Sequence, residues 1–387
     1  MCLLPQWFPT PRGDPEYGPA DNDQEKVLMS VNLFSPLTVG ELELPNRVVM
    51  APLTRVRSGR DGVPGPLVVE HYRQRASLGL IVGEGTYPSL AGQGFPGQPG
   101  LVTPEQVAGW TNVAEAVHAA GGRIVAQVMH AGRVTHEGTT GGHEVVAPSA
   151  IAIEGETRTY DGKEPYPVPR ALRTDEIPAV VEEFVQASRN AVAAGLDGVE
   201  IHAANGYLLH EFLSPASNQR DDAYGGSPAN RARVVIEVVR AVADAIGAGR
   251  VGIRISPEHN IQDALESDPD DVRATYGALV DAIAPLKPAY LSILHKDPAG
   301  PLVQDLRTRF GGPTLVNSGF SAITTRDEAL TLLDDGHADA VVVGRPAIAN
   351  PDLVRRWQED LPLNTPDPLT FYSEGAKGYT DYPVLQR

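Results

Sequence analysis

From Arg47 onward the chain repeats one phrase eight times: a short apolar strand, a loop of polar or glycine residues, then a helical stretch. The strand candidates are RVVMAP (47–52), LGLIVGEG (78–85), RIVAQVMH (123–130), DGVEIHA (197–203), RVGIRIS (250–256), AYLSILH (289–295), PTLVNSG (313–319) and DAVVVGR (339–345). Strands that alternate with helices imply a parallel sheet, since each return to the same edge needs a long crossover. Eight such units close into a (β/α)8 TIM barrel, an α/β fold expected here as one domain. A doubly wound sheet is the alternative, because 387 residues with 42% hydrophobic content suit one large barrel or two ordinary domains.

Between strands the helix signals are local and physical. TPEQVAGWTNVAEAVHAAGG offers Thr103 as N-cap, Pro104 at the first helical position, Gln106 to complete a capping box and Gly121 as a stop. TDEIPAVVEEFVQASRNAVAAG is expected to start likewise at Thr174 and stop at Gly195. Two long insertions interrupt the scheme, at 138–173 and 257–271. The first alternates through EVVAPSAIAI and is predicted to form a β-hairpin lid; both are expected to shape substrate access.

A net charge of -17 argues against nucleic-acid or anionic-membrane partners, because phosphate would be repelled over most of the surface. Cys2 is the only cysteine, which excludes an intramolecular disulfide framework, a cysteine zinc cluster and a CxxC redox pair, and suits a reducing cytoplasm. No apolar run approaches a bilayer span, and the opening MCLLPQWFPTPRGDPEYG lacks the basic start and apolar core of a signal peptide. Residues 1–31, rich in Pro, Asp and Glu without periodicity, are expected to be a poorly ordered extension, or to reflect a start upstream of the true one at Met29.

In a barrel of this kind chemistry belongs at the C-terminal ends of the strands. GVEIHAANGY (198–207) ends an apolar run with His202, Asn205 and Tyr207, a set able to grip a substrate oxygen and deliver a proton. The competing reading is that His202 and Asn205 are satisfied structural polars and Tyr207 merely starts the helix YLLHEFL. Gly319 in NSG and Gly344 with Arg345 in VGRP follow strands seven and eight, where barrels commonly seat a phosphate on backbone N–H groups. Two tight turns beside a surface arginine would read the same way. Arg254, at an alternating position in VGIRIS, demands an anion or a ring of acceptors; pairing with Glu200 is the structural alternative. Gln127 offers donor and acceptor where a structural strand would hold an aliphatic, so the two together could read the edge of a heterocycle. GQGFPG matches the dinucleotide GxGxxG spacing, but Pro96 and Pro99 forbid the helix start that motif needs, leaving a loop. His202 and His210 lack HExxH or clustered Cys/His spacing, so no metal site is expected.

The strings LFSPLTVGELELPNRVVMAPLTR, YRQRAS, AVHAAGGRIVAQ, GVEIHAANGYLLHEFL, SNQRDDAYGGSPANRARVVIEVV, VGIRISP, GRP followed by NPDLV, and FYSEGAKGYTDYP occur in this order from about residue 33 to the C-terminus. Together they resemble the old yellow enzyme family of flavin-dependent ene-reductases. The resemblance implies a barrel holding non-covalent FMN, with NADPH or NADH as reductant and an activated alkene as substrate: an α,β-unsaturated carbonyl, maleimide or nitroalkene, with nitrate esters a further possibility. Pro52 and Thr54 would meet the cofactor, Thr54 at flavin O4; Gln127 would meet the pyrimidine edge, Arg254 the N1/O2 side, and Gly85 would lie small against the ring. Gly319, Gly344 and Arg345 would take the phosphate. His202 and Asn205 would hold the substrate oxygen, Tyr207 would supply the proton, and Tyr72, Met129 and Tyr372 would line the substrate pocket. Hydride would pass by way of flavin N5 to the β-carbon. Met129 stands where the family often has tryptophan, which predicts a roomier pocket, and His71 precedes Tyr72 where two tyrosines are common. The acidic loop QDALESDPDD matches the family poorly and is assigned nothing. The alternative function is a flavin-free barrel isomerase or lyase acting on a phosphorylated small molecule. A monomer or homodimer is expected.

Overall fold

The structure, a computed structural model, describes residues 32–386 with the exception of 321. The extension expected over 1–31 lies outside the described residues. Every predicted strand is present: Val48–Met50, Leu80–Thr86, Ile124–Val128, Gly198–Ala203, Val251–Ile255, Tyr290–Leu294, Thr314–Asn317 and Ala340–Val343. Each pairs in parallel with its neighbours and the eighth returns to the first, closing the barrel.

Alternation along the strands separates two apolar layers. Val199, Ile201, Ile253 and Leu291 face outward and pack with Trp110, Phe184 and Val238 of the surrounding helices. Val49, Leu80, Val125, Leu315 and Val342 face inward and fill the lower interior. Burying one such aliphatic side chain stabilises the fold by about 1.5–3 kcal/mol. An antiparallel hairpin, Leu37–Val39 with Leu42–Leu44, joins this inner cluster through Val39, Leu42 and Leu44 and closes the N-terminal end of the barrel. Its turn needs glycine: Gly40 has φ +56, and a Cβ there would sit 2.1 Å from the Gly249 carbonyl oxygen.

Helices Pro66–Arg73, Pro104–Ala119, Ile177–Ala193, Pro228–Ile246, Pro269–Ile283, Pro301–Phe310 and Arg326–Asp334 follow the first seven strands, and Arg345–Ala349 with Leu353–Gln358 follow the eighth. Proline opens many of them, where its missing N–H leaves nothing unsatisfied. The predicted capping box of Thr103 and Gln106 is formed, a feature worth about 1 kcal/mol. The next helix departs from its prediction. Thr174–Glu176 makes a 3-10 turn and the α-helix begins at Ile177, with Pro178 in its first turn, while the Thr174 hydroxyl donates to Asp222. The lid hairpin also exists, but from other residues than expected. It pairs Glu156–Thr159 with Gly162–Pro165, turning at Tyr160 and Asp161. Within EVVAPSAIAI, Val146–Ala147 pairs in parallel with Arg170–Ala171, and Pro148 follows directly, so that run cannot fold back on itself.

Candidate active site

At the C-terminal ends of the strands lies a cavity of about 1270 Å³. Small-ligand pockets usually span about 300–1,000 Å³, so this one has room for two ring systems at once. His202, Asn205, Tyr207, Gln127, Met129, Arg254, Pro52, Thr54, Gly319, Gly344, Arg345 and Tyr372 all line it. Residues scattered over most of the sequence therefore meet in one volume.

The strand Gly198–Ala203 brings His202 to the rim of the barrel, and the chain then turns sharply at Asn205, φ +59, and Gly206, φ +79. This strained turn is held from several sides. The Asn205 N–H donates to Ser256 Oγ at 2.8 Å, the Asn205 carbonyl accepts from Gln262 Nε2 at 2.8 Å, and the Gly206 N–H donates to His210 Nδ1 at 2.7 Å. His210 Nδ1 is thus an acceptor, so its Nε2 carries hydrogen toward Glu266 Oε1 at 3.2 Å. Tyr276 donates to the same carboxylate oxygen at 2.8 Å. The His202 and Asn205 side chains line the cavity by contrast without a hydrogen bond to hold them: His202 Nδ1 and Asn205 Oδ1 are buried without a partner. That removes the reading of His202 and Asn205 as satisfied structural polars, since such groups are normally paired when buried. Burial, with help from Arg254 and His210, holds the His202 imidazole well below its ordinary pKa, so it is neutral at physiological pH. Burial raises the Tyr207 hydroxyl pKa, partly offset by the Gln262 amide. The Tyr207 ring lies 5.2 Å from His202 and caps the helix Leu208–Leu213 without a side-chain cap bond.

Beneath this group the barrel interior turns polar. Gln127 Nε2 donates to Glu200 Oε1 at 2.8 Å, and Arg254 Nη1 donates to Ser292 Oγ at 3.0 Å, while Arg254 Nε is buried without a partner. Burial raises the Glu200 carboxyl and lowers the Arg254 guanidinium, each partly offsetting the other's shift, yet no bond joins them among the described residues, so Arg254 keeps donor capacity for an anion. On the opposite wall Gly319 has φ +99, and Gly344 precedes the short helix Arg345–Ala349 with no side-chain cap. The Arg345 guanidinium donates to the Phe320 carbonyl, which ties the two loops together. Among the described residues no His, Cys, Asp and Glu cluster could hold a metal ion.

Two expected site residues sit elsewhere. Tyr72 is buried in the layer between barrel and helices, where its hydroxyl accepts from the Glu84 N–H at 2.8 Å; being on the helix Pro66–Arg73, it faces Trp110 rather than the cavity. Gly85 does not line the cavity, and a Cβ on it would lie 2.7 Å from Met129 Sδ, so its smallness makes room for Met129.

The cavity also has walls that the sequence reading left unassigned. Phe95 comes from the loop that imitates a dinucleotide motif and sets its ring edge-on to Tyr207 at 6.4 Å. Arg158 and Tyr160 come from the lid hairpin, and Ile261 and Gln262 from the insertion at 257–271. Asp161-Gly162 was the available turn signal for the hairpin. That insertion is strained, with Glu258, Asn260, Gln262 and Asp263 all at φ between +49 and +59, a feature that clusters at functional sites. Arg133 joins these parts: its guanidinium donates to the carbonyls of Ile151 and Gln262, both at 3.0 Å. Arg55 and Arg57 draw the C-terminal segment over the cavity by donating to the carbonyls of Thr370, Phe371 and Gly378, which places Phe371, Tyr372 and Gly375 in its wall.

Residues 32–364 match the model of the NADH:flavin oxidoreductase / NADH oxidase family. The chain belongs to that family. A probable flavin mononucleotide-dependent alkene reductase of Leishmania infantum is 42% identical, over 91% of this chain and 97% of that one. The solved old yellow enzyme homologue from Zymomonas mobilis is 42% identical with a TM-score of 0.87, covering 92% of this chain and 100% of that chain. Morphinone reductase in complex with tetrahydroNAD is 45% identical with a TM-score of 0.86, covering 92% and 98%. The old yellow enzyme resemblance read from the sequence is borne out. An unsatisfied guanidinium, a strand glutamine and two glycine loops converge on a space large enough for FMN.

Proposed function

We propose that the protein is an FMN-dependent ene-reductase that moves hydride from NADPH to the β-carbon of activated alkenes: α,β-unsaturated carbonyls, maleimides and nitroalkenes, with nitrate esters as further acceptors. The observation that carries this reading is the convergence of His202, Asn205 and Tyr207 with Gln127 and Arg254 on one cavity, where the donors able to meet a substrate oxygen are an imidazole N–H of His202 and the Asn205 amide Nδ2. Bound there, FMN supplies the two-electron relay that lets a nicotinamide and an alkene react in turn at one place. Gln127 and Arg254 would hold its pyrimidine edge, Pro52 and Thr54 its ring, and Gly319, Gly344 and Arg345 its phosphate. A fixed cation at that edge favours the extra negative charge of the reduced ring.

His202 is neutral, so it and Asn205 grip a substrate oxygen as hydrogen-bond donors without giving up a proton. Those bonds strengthen as charge gathers on the oxygen, which is the condition for lowering a barrier rather than merely binding. Tyr207, a poor acid in its buried setting, holds its proton until a strongly basic carbon is presented at the α-position. Phe95, Met129, Ile261 and Tyr372 supply the apolar walls that exclude water.

NADPH is favoured over NADH by Arg60 and Arg158. Both line the cavity, and neither has a carboxylate partner among the described residues. They offer a 2′-phosphate charge-assisted bonds. The charge of -17 and single cysteine suit a cytoplasmic enzyme without nucleic-acid or membrane partners, a monomer or homodimer with residues 32–387 as one catalytic domain. Among the described residues no helix is long and apolar enough to cross a membrane.

The test is direct. Purified protein should be yellow, bleach under anaerobic NADPH, and regain colour on addition of 2-cyclohexenone with one alkene reduced per flavin. A colourless protein that gains no flavin on titration would return the choice to an isomerase or lyase.

A further inference from the structure

Glu200 is a fully buried carboxyl directly behind the cavity wall, bonded to the lining residue Gln127, and nothing in the reaction above uses it. It stands in register with Gln127 on one neighbouring strand and Gly252 on the other, and shares the barrel interior with Arg254 and Tyr290. Glu200 Oε1 accepts from Gln127 Nε2, whereas Oε2 has no partner. Burying a carboxyl with one oxygen unpaired is costly, so its retention calls for a role that an aliphatic residue could not fill.

We propose that Glu200 is a positioning residue for the pyrimidine edge of the flavin, orienting the Gln127 amide and sharing the charge of Arg254. This rests on the FMN reading given above. An amide has a donor end and an acceptor end, and only the donor end satisfies a carboxylate. With Nε2 committed to Glu200, Oε1 of Gln127 is left to face a donor, and the imide N–H is the donor on that edge of a flavin. Burial raises the Glu200 carboxyl, but Arg254, the Gln127 amide and Tyr290 all favour its charged form, and in that form it balances part of the guanidinium charge from the protein side rather than from the cofactor.

Glu200→Gln is nearly isosteric, so a role in packing alone predicts no change in flavin chemistry. Positioning predicts two changes. The neighbouring amide then offers both donor and acceptor, Gln127 loses its fixed orientation, and oxidised FMN should bind several-fold more weakly. Arg254 is no longer balanced, so the reduced flavin should gain about ten-fold over the oxidised form, a rise of about 30 mV for a two-electron couple. Potentiometric titration of the holoenzyme and FMN binding to the stripped protein read these separately. An unchanged potential together with unchanged FMN affinity overturns the proposal.

A double variant tests the route. On a Gln127→Leu background, Glu200→Gln should cause no further loss of FMN affinity; additive losses overturn action through the amide. Should Glu200→Gln fail to accumulate, Glu200→Asp keeps the charge on a shorter stem. Weaker FMN binding with a nearly unchanged potential supports the proposal, and no change in either overturns it. Unaltered protein that takes up no FMN defeats the functional reading itself. Unaltered protein that is yellow and bleaches, beside an indistinguishable Glu200→Gln, defeats only this one.

Discussion

Near the N-terminal ends of the barrel strands the interior holds Val49, Leu80, Val125, Leu315 and Val342, packed into one apolar cluster. Two residues further along the same strands, or on adjacent ones, it holds Gln127, Glu200, His202, Arg254, Ser292 and Asn317. Backbone, pairing and inward direction are identical, so the difference lies entirely in side-chain chemistry. The lower set is satisfied by mutual contact. The upper set leaves His202 Nδ1, Glu200 Oε2 and Arg254 Nε without partners. A barrel can thus keep its stability in one layer and its reactivity in the next, separated by a single turn of alternation.

The largest expected effect that would break this division is Tyr207→Phe. It should lower alkene reduction by about 10²–10⁴-fold, the usual weight of a general acid, while flavin reduction by NADPH and the melting temperature stay near wild type. Stopped-flow measurement of each half separately decides it, and equal loss in both would remove the proton-donor role. In the lower layer, Leu315→Ala should do the opposite. It should cost about 2–5 kcal/mol in urea unfolding and leave the rate of the folded fraction intact. If activity per folded molecule falls as well, the layers are not independent.

Glu211 sharpens the boundary. It is fully buried just past the turn, accepts from the Arg133 N–H at 2.8 Å, and burial pushes its carboxyl up to about 8 against the pull of Arg133. Its proton leaves the unfolded chain near 4.5, so across the interval the unfolded state binds fewer protons and stability falls as pH rises from 4.5 to about 8. The slope is at most about 1.4 kcal/mol per pH unit. Glu211→Gln should flatten it relative to wild type in paired unfolding curves across that interval; parallel slopes would show Glu211 ionised throughout. The smallest effect is Met129→Trp. It should shift relative rates toward small enones over bulky ones by about ten-fold or less, measured as a ratio of kcat/KM values. An unchanged ratio would remove Met129 from the determinants of pocket size.

Much of this was legible in the chain because inward positions announce themselves. Gln127, His202 and Arg254 are polar at places where strand alternation demands an aliphatic, and all of them line the cavity. The strands were legible for the same reason. Tyr72 was misplaced because resemblance assigns a neighbourhood and not a direction, and helical geometry turned its ring toward Trp110. Phe95, Tyr160, Ile261 and Gln262 were missed because loops have no periodicity from which to read a face. The hairpin lies outside the apolar alternating run because both of its strands are largely polar, and only the Asp161-Gly162 step at the end of its turn signals it.

The C-terminal segment sets an order of events. Arg55 and Arg57 are made well before the carbonyls they bind, from Thr370 to Gly378, and His71 stacks on Tyr379 at 4.0 Å across the same span. During synthesis the strands can pair as they emerge, but the wall formed by Phe371 and Tyr372 cannot close until that segment has followed all eight strands out of the ribosome. A nascent barrel is therefore an open bowl, and cofactor loading at that stage meets a site with one side still missing.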